Sequence, residues 1–164
     1  MQSDPVTILL AHNQWASRQI LEACEKLSAE QFHQKFEMGP GSLQNTVAHI
    51  LGATRAWTQV MAGQTPTTRL DQDGQTRTPR ELSGLLDSIS ADFAAESARL
   101  PLDHAVTRVR DGKTYVLTRG AVVMQVTTHA MHHRAQCLNM LRHLGVKPLP
   151  PSGVIEWTQM AKSV

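Results

Sequence analysis

Three histidines fall within five positions of one stretch, HAMHHRAQ at residues 129–136, in a chain of 164 residues with eight histidines in all. Neutral imidazole nitrogen is a good ligand for zinc, nickel, copper and iron. His129 and His133 are four residues apart, so on a helix they lie one turn apart and can converge on one ion. A third histidine from a second helix would complete a three-histidine site with positions open for water or substrate, which is the catalytic rather than the structural pattern.

The periodicity around this stretch places His129 and His133 on the apolar face of a helix. At about 100° per residue, His133 lies within the apolar stripe and His129 lies about 60° from its centre. His132 falls at the border of the stripe and is not expected to be a ligand. The stripe consists of Val122, Val126, Ala130, Cys137, Met140 and Leu144.

A candidate third ligand, His49, lies on the second predicted helix. This helix is predicted to begin after the N-cap Ser42 and to run to about Ala62, closed by Gly63. His49 falls on the flank of the apolar stripe among small side chains, which leaves room for its imidazole to reach across a bundle cleft. The stripe contains Leu43, Val47, Ile50, Thr54, Trp57 and Met61, and the opposite side Gln44, Arg55, Thr58 and Gln59.

Spacing alone leaves another interpretation open. Two histidines four residues apart on an apolar face are more often a core pair satisfied by hydrogen bonds or water than a metal site. The remaining histidines are expected at the surface or at helix ends, and among them only His12 has some claim on the site. They are His12, His33, His104 and His143.

Apolar periodicity and capping residues predict four long amphipathic helices. Such a set predicts an all-α four-helix bundle, and we interpret residues 1–164 as a single domain. The predicted helices run from Asp4 to near Ser28, from Ser42 to about Ala62, from Thr78 to about Leu100, and from near Thr118 to Leu144.

The segments between and after these helices carry turn signals. The sequence AVTRVRDGKTYVLT at 105–118 alternates partly around Asp111 and Gly112, which predicts a short β-hairpin before the fourth helix. Residues 64–78 are polar and are expected to form a surface loop that borders a site. LPP at 149–151 breaks the chain before a short terminal segment around Ile155 and Trp157.

Composition narrows the function classes. Hydrophobic residues make up 41% and charged residues 18%, as in ordinary globular proteins, and the formal net charge is +2 with scattered basic residues. We therefore expect neither a nucleic-acid partner nor a membrane span, and a cytoplasmic location. Cys24 and Cys137 are expected to be small core residues in a reducing compartment; a catalytic thiol is the less favoured interpretation.

Two segments carry a resemblance to a known family. The pattern GSLQNTVAHILGATRAWTQVMAG at 41–63, followed by HAMHHRAQCLNMLRHLG at 129–145, resembles the DinB/YfiT-like family, and AHNQWASRQILEACEKLS at 11–28 resembles its opening helix. The resemblance covers nearly the whole chain. It implies a four-helix bundle, usually a homodimer, in which His49, His129 and His133 hold a divalent ion such as Zn²⁺ or Ni²⁺.

One position departs from the family pattern. Ala135 stands between Arg134 and Gln136, where the family tends to have glycine. Alanine suits a helix better and should leave the ligands unaffected. Arg134 and Gln136 are interpreted as hydrogen-bonding groups of the bundle or of an interface.

The resemblance also implies an activity. Some relatives are thiol-dependent transferases or isomerases, and a coordinated thiol loses its proton at neutral pH to become the nucleophile. A metal-dependent transferase acting on a small thiol and an electrophile is thus expected, with no general base standing out beyond the candidates His12 and His132. Three alternatives remain: a metal-dependent hydrolase, a non-catalytic stress protein that sequesters or senses an ion, and a structural dimer with buried histidines.

Overall fold

The computed structural model describes residues 4–160 of the chain. Four long helices form a bundle in which α3 contacts α4 and α5, and α1 contacts the same two helices. This confirms the predicted all-α four-helix bundle. Residues 1–3 and 161–164, which the predicted domain also includes, lie outside the described residues. The elements are α1 (Pro5–Cys24), α2 (Ala29–His33), α3 (Leu43–Met61), α4 (Pro79–Arg99), β1 (Ala105–Arg110), β2 (Lys113–Thr118), α5 (Arg119–His143) and α6 (Val154–Met160).

Side-chain caps fix the beginnings of the long helices. The Ser42 side chain accepts a hydrogen bond from the backbone N–H of Asn45 at the start of α3. Thr78 forms a capping box with Glu81 at the start of α4, with Pro79 in the first turn. These contacts satisfy backbone donors that have no partner within a helix, so the sequence sets where each helix begins.

Two details of the prediction are wrong. The first helix ends at Cys24 rather than near Ser28, because Ser28 caps the separate short helix α2 through a capping box with Gln31. Gln44, expected on the outer side of the second predicted helix, is buried at 6% exposure, because α2 also packs against α3.

The predicted hairpin at 105–118 is confirmed. Its strands pair in antiparallel register, from Ala105 opposite Thr118 to Arg110 opposite Lys113. Asp111 and Gly112 at the turn have φ values of 51° and 71°, as a type I′ turn requires at both central positions. The second strand runs directly into α5.

Both cysteines lie in the core, as predicted. Cys24 and Cys137 are free and buried within the larger apolar cluster between the helices. Burial raises the pKa of Cys137 to about 12 and that of Cys24 well above its usual value, so both thiols stay protonated.

Within residues 4–160, no helix combines the length and hydrophobicity needed to cross a membrane.

Candidate metal centre

The side chains of His49, His129 and His133 meet between α3 and α5. The ring centroid of His49 lies 5.0 Å from that of His129 and 4.5 Å from that of His133, and the last two are 4.5 Å apart. Each residue offers one nitrogen, and the three nitrogens lie within 4.8 Å of one another. The structure therefore brings together the three residues that the sequence singles out.

Hydrogen bonds fix which nitrogen of two of these rings faces the cluster. His49 donates from Nδ1 to Asp71 Oδ2 at 2.8 Å, and His133 donates from Nδ1 to Gln136 Oε1 at 2.8 Å. A neutral imidazole that carries its proton on Nδ1 has a lone pair on Nε2. His49 and His133 are thus held with a lone pair on Nε2, the tautomer that metal-ligating histidines adopt when an acceptor binds the other nitrogen.

The spacing of the nitrogens fits an ion. Two nitrogens bound at about 2.0–2.1 Å to one ion, at angles between octahedral and tetrahedral, lie about 2.8–3.4 Å apart. Nε2 of His49 and Nε2 of His129 are 3.1 Å apart. A hydrogen bond from His129 to His49 would also explain this distance. It would still leave Nε2 of His133 without a hydrogen-bond partner among residues 4–160.

The electrostatics keep the rings of His129 and His133 neutral. Burial, together with the nearby His133 and His49, lowers the pKa of His129 to about 4. Burial is also the main cause that lowers the pKa of His133. Because histidine binds a metal only in its neutral form, both rings are competent ligands at neutral pH.

Asp71 and Arg69, on the loop at 64–78, support His49 from outside the cluster. Arg69 donates from Nε to Asp71 Oδ1 at 2.9 Å. Burial favours the neutral acid, but hydrogen bonds from Arg69 and His49 outweigh it and lower the pKa of Asp71 to about 2. Arg69 Nη2 also lies 2.8 Å from His49 Nδ1, but because the ionised carboxylate of Asp71 can only accept, both Nδ1 and Arg69 donate to that carboxylate.

The sequence does not predict the contact of Asp71 with His49. The turn-rich loop was expected to border a site, but nothing in its composition marks one of its aspartates as the partner of His49. The close approach of the loop to α3 provides a structural reason for the contact. A Cβ at Gly52 would lie 2.9 Å from the backbone nitrogen of Leu70, so the loop fits because residue 52 has no side chain.

The other histidines lie outside the cluster. His132 is exposed, and its Nε2 is 3.2 Å from Nε2 of Gln136, so it is not a member of the ligand group.

The prediction that His12 lies at the surface is wrong. His12 is 8% exposed, packs near Trp15 and Trp157, and donates to the backbone oxygen of Ser152 at 2.9 Å, because α6 and its preceding loop cover this part of α1. It has no contact with the candidate centre. His33 is half-buried at the end of α2, and His104 and His143 are exposed, as expected.

Arg134 and Gln136 have different roles. Arg134 is 5% exposed and donates to Asn13 Oδ1 at 2.6 Å and to Ser17 Oγ at 3.3 Å, so it joins α5 to α1 as a hydrogen-bonding group of the bundle. Gln136 orients His133, as described above. The glutamine is therefore part of the candidate centre, which the sequence did not indicate.

The fold is thus a helical bundle, and the candidate site is a cluster of three histidines between two of its long helices. The family model of the DinB family matches residues 1–159, and the chain belongs to this family. Among solved structures, the crystal structure of the DinB-like protein YjoA from Bacillus subtilis is similar, with a TM-score of 0.61 and 20% identity over 88% of this chain and 96% of that chain. At this identity the likeness shows the fold alone. No curated protein matches the chain.

Proposed function

We propose that this protein binds a divalent transition-metal ion, zinc or nickel, through His49, His129 and His133 and acts as a metal-dependent enzyme. The observation that carries the proposal is the group of three imidazole nitrogens within 4.8 Å of one another, two of them with lone-pair orientation set by hydrogen bonds to Asp71 and Gln136. The donor set suits these ions, because imidazole is a borderline ligand that both accept.

Two features favour an enzyme over a protein that sequesters or senses an ion. Among residues 4–160, no cysteine, aspartate or glutamate joins the three histidines, so no fourth protein ligand closes the site. A cavity of about 560 Å³ lies beside the cluster and is lined in part by His129. A storage site needs neither an open position nor an adjacent cavity.

The proposed reaction is the transfer of a low-molecular-weight thiol to an electrophilic small molecule. When bound, the ion would supply a Lewis acid that lowers the pKa of a coordinated thiol. The three histidines would hold the ion, and Asp71 and Gln136 keep the rings of His49 and His133 in the required tautomer. Metal-dependent hydrolysis is the alternative activity of the same open site.

We also propose a homodimer in the cytoplasm. Family resemblance supports the dimer. The two free, buried thiols of Cys24 and Cys137 are typical of proteins from a reducing compartment.

Elemental analysis tests the metal site. Protein purified without a His tag and without added metal should contain close to one equivalent of zinc or nickel, and His49→Ala and His133→Ala should lose most of it. His132→Ala is the matched control, because this exposed neighbour on the same helix should retain the metal. Unchanged metal content in the His49 and His133 variants would refute the site.

A second experiment tests the activity. Consumption of a small thiol is followed with a panel of electrophiles in metal-loaded protein and in protein stripped by a chelator. We expect turnover only with metal, and no turnover in metal-loaded His133→Ala. Equal rates in loaded and stripped protein would contradict the transferase, and release of ester hydrolysis products without thiol would favour the hydrolase.

A further inference from the structure

The hairpin carries arginines on the side that faces the bundle. Val106, Arg108 and Arg110 alternate along β1 and therefore point to the same side of the strand. Val106 is buried in an apolar cluster with helix residues, which identifies this side as the inner one. Val109, on the outer side, is 69% exposed. A hairpin packed on a core normally places apolar residues inward and polar residues outward, so the half-buried Arg108 on this side needs a specific reason, while Arg110, next to the turn, is 66% exposed.

The cavity beside the candidate metal centre lies under these arginines. Arg108 and Arg110 line it on the hairpin side, and Arg69 and His129 line it next to the centre. Its volume of about 560 Å³ is in the range of sites for small molecules. A larger cavity of about 650 Å³ lies on another side of Arg108, but none of the three cluster histidines lines it. The smaller cavity is therefore the one that adjoins the centre.

The cavity has an excess of positive charge. No aspartate or glutamate from residues 4–160 lines it. Arg69 is paired with Asp71, and Arg110 lies 3.3 Å from Asp111, but Arg110 and Asp111 are 66% and 85% exposed, so water screens this pair. Arg108 has no carboxylate partner in the described part of the chain. Its guanidinium lies 4.3 Å above the ring of Trp57, which positions the charge without neutralising it.

We propose that Arg108 and Arg110 bind an anionic group, a carboxylate or a phosphate, of the small-molecule substrate. The inference deepens the proposed function, because the same substrate would place its reacting end at the candidate metal centre next to His129. Arginine suits this role, since its planar guanidinium donates two parallel hydrogen bonds to either anion. Stacking on Trp57 alone would explain Arg108, but neither Arg110 in the lining of the same cavity nor the absence from that lining of carboxylates of residues 4–160.

Binding of simple probes tests the inference without an assay of activity. Succinate, inorganic phosphate and the uncharged succinamide are titrated into metal-free and zinc-loaded protein, and the NMR signals of the Trp57 indole and of the backbone amides of β1 are followed. We expect succinate or phosphate to shift these signals with saturation, and succinamide to leave them unchanged. The comparison of the two anions also tells whether the group is a carboxylate or a phosphate.

A charge-matched pair of double variants assigns the effect to the cavity. Arg108→Gln/Arg110→Gln should weaken anion binding by about tenfold or more, the loss expected when hydrogen bonds to a charged group are removed. Arg80→Gln/Arg142→Gln removes the same charge at two exposed positions outside the cavity and should change affinity less than about twofold, as expected for screened surface charges. If circular dichroism shows that the first double variant is unfolded, Arg110→Gln alone replaces it, because that side chain is 66% exposed.

The outcomes separate this inference from the metal site. Equal affinity in the two double variants, or no saturable binding of either anion, would overturn the inference even if zinc binds at the three histidines. Arginine-dependent anion binding in protein that fails to bind zinc would uphold the anion site and refute the metal-dependent function.

Discussion

At the scale of single residues, Asp71 connects a surface loop to the candidate centre by one hydrogen bond to His49. A carboxylate bound to the outer nitrogen of a ligating histidine fixes its tautomer and raises its basicity. We predict that Asp71→Asn lowers zinc affinity by about tenfold or more. Competition with a chromophoric chelator measures this. Asp92→Asn, a change of the same charge at an exposed position on α4, is the control, and an equal affinity in both variants would contradict the role of Asp71.

The half-buried His129 also predicts a pH dependence of the free energy of unfolding. The pKa of His129 is about 4 in the folded protein against 6.5 for a free side chain. As pH falls from about 6.5 towards 4, the unfolded chain binds a proton that the folded chain does not, so the metal-free protein should lose stability across this window. Above pH 6.5 the contribution should be constant.

Urea denaturation of metal-free protein at several pH values between 5 and 7.5 checks the sign. His129→Gln, which cannot titrate, should flatten the dependence. A metal-free protein that becomes more stable as pH falls in this range would show that His129 is charged in the fold.

At the scale of elements, Gly52 decides how closely the loop at 64–78 approaches α3. In most helices Gly→Ala stabilises by about 0.5–1 kcal/mol, and Gly84 on α4, where an added Cβ meets nothing within 4 Å, should follow this rule. At Gly52 the added Cβ would lie 2.9 Å from the backbone of Leu70 and 3.3 Å from Asp71 Oδ1. We predict that Gly52→Ala displaces the loop and weakens zinc binding, while Gly84→Ala raises the free energy of unfolding and leaves zinc binding unchanged.

Thermal unfolding and zinc titration of both variants distinguish these effects. If the two alanines behave alike in both measurements, the loop does not depend on the close approach at residue 52.

Arg119 joins three elements where the hairpin enters α5. Its side chain is 1% exposed and donates to Met61 O at the end of α3 and to the Glu96 carboxylate on α4 at 2.8 Å. Arg119→Ala removes the buried partner of Glu96, which then keeps only the exposed Arg99. The same change leaves Met61 O without its donor, so it should cost about 3 kcal/mol in the free energy of unfolding. Arg99→Ala removes the exposed partner of the same Glu96 and should cost less than about 1 kcal/mol by urea denaturation. Similar losses in the two variants would contradict a structural role for the buried pair.

At the scale of the whole molecule, local regularities predict the bundle and the pairing of His129 with His133 on one helix face, while the place of His49 beside them is what the resemblance to the DinB/YfiT-like family implies. Helical periodicity places His129 and His133 on one face, and caps such as Ser42 and Thr78 set where helices begin. The interpretation of His12 fails because the segment that covers it, around Ser152 and Trp157, is 140 residues away in the chain. Long-range contacts of this kind leave no periodic signal.

The same limit applies to the surroundings of the centre. Asp71 is 22 residues from His49, and its contact depends on how the loop folds back on α3. The basic cavity requires the hairpin to lie over the bundle, which its alternating pattern alone does not specify. The three candidate ligands could thus be named from the sequence and its family resemblance, while the groups that orient them and the charge beside them required the structure.

The homodimer stays a prediction, and it concerns how two copies of the chain assemble. Met124 and Met131 are seven residues apart on α5 and are 54% and 61% exposed. Such side chains on one helix face are candidates for an interface. Light scattering should give a mass of about 36 kDa, twice the 18.1 kDa of one chain, and Met131→Lys should lower it. A monomeric mass at micromolar concentration would contradict the dimer.

Anomalous diffraction from crystals of the zinc-loaded protein tests the candidate metal centre most directly. Data collected on both sides of the zinc absorption edge should show one strong peak about 2.0–2.1 Å from Nε2 of His49, His129 and His133. Zinc peaks only elsewhere on the molecule, with the three rings hydrogen-bonded to one another or to water, would show that the histidines form a buried polar cluster and not a metal site.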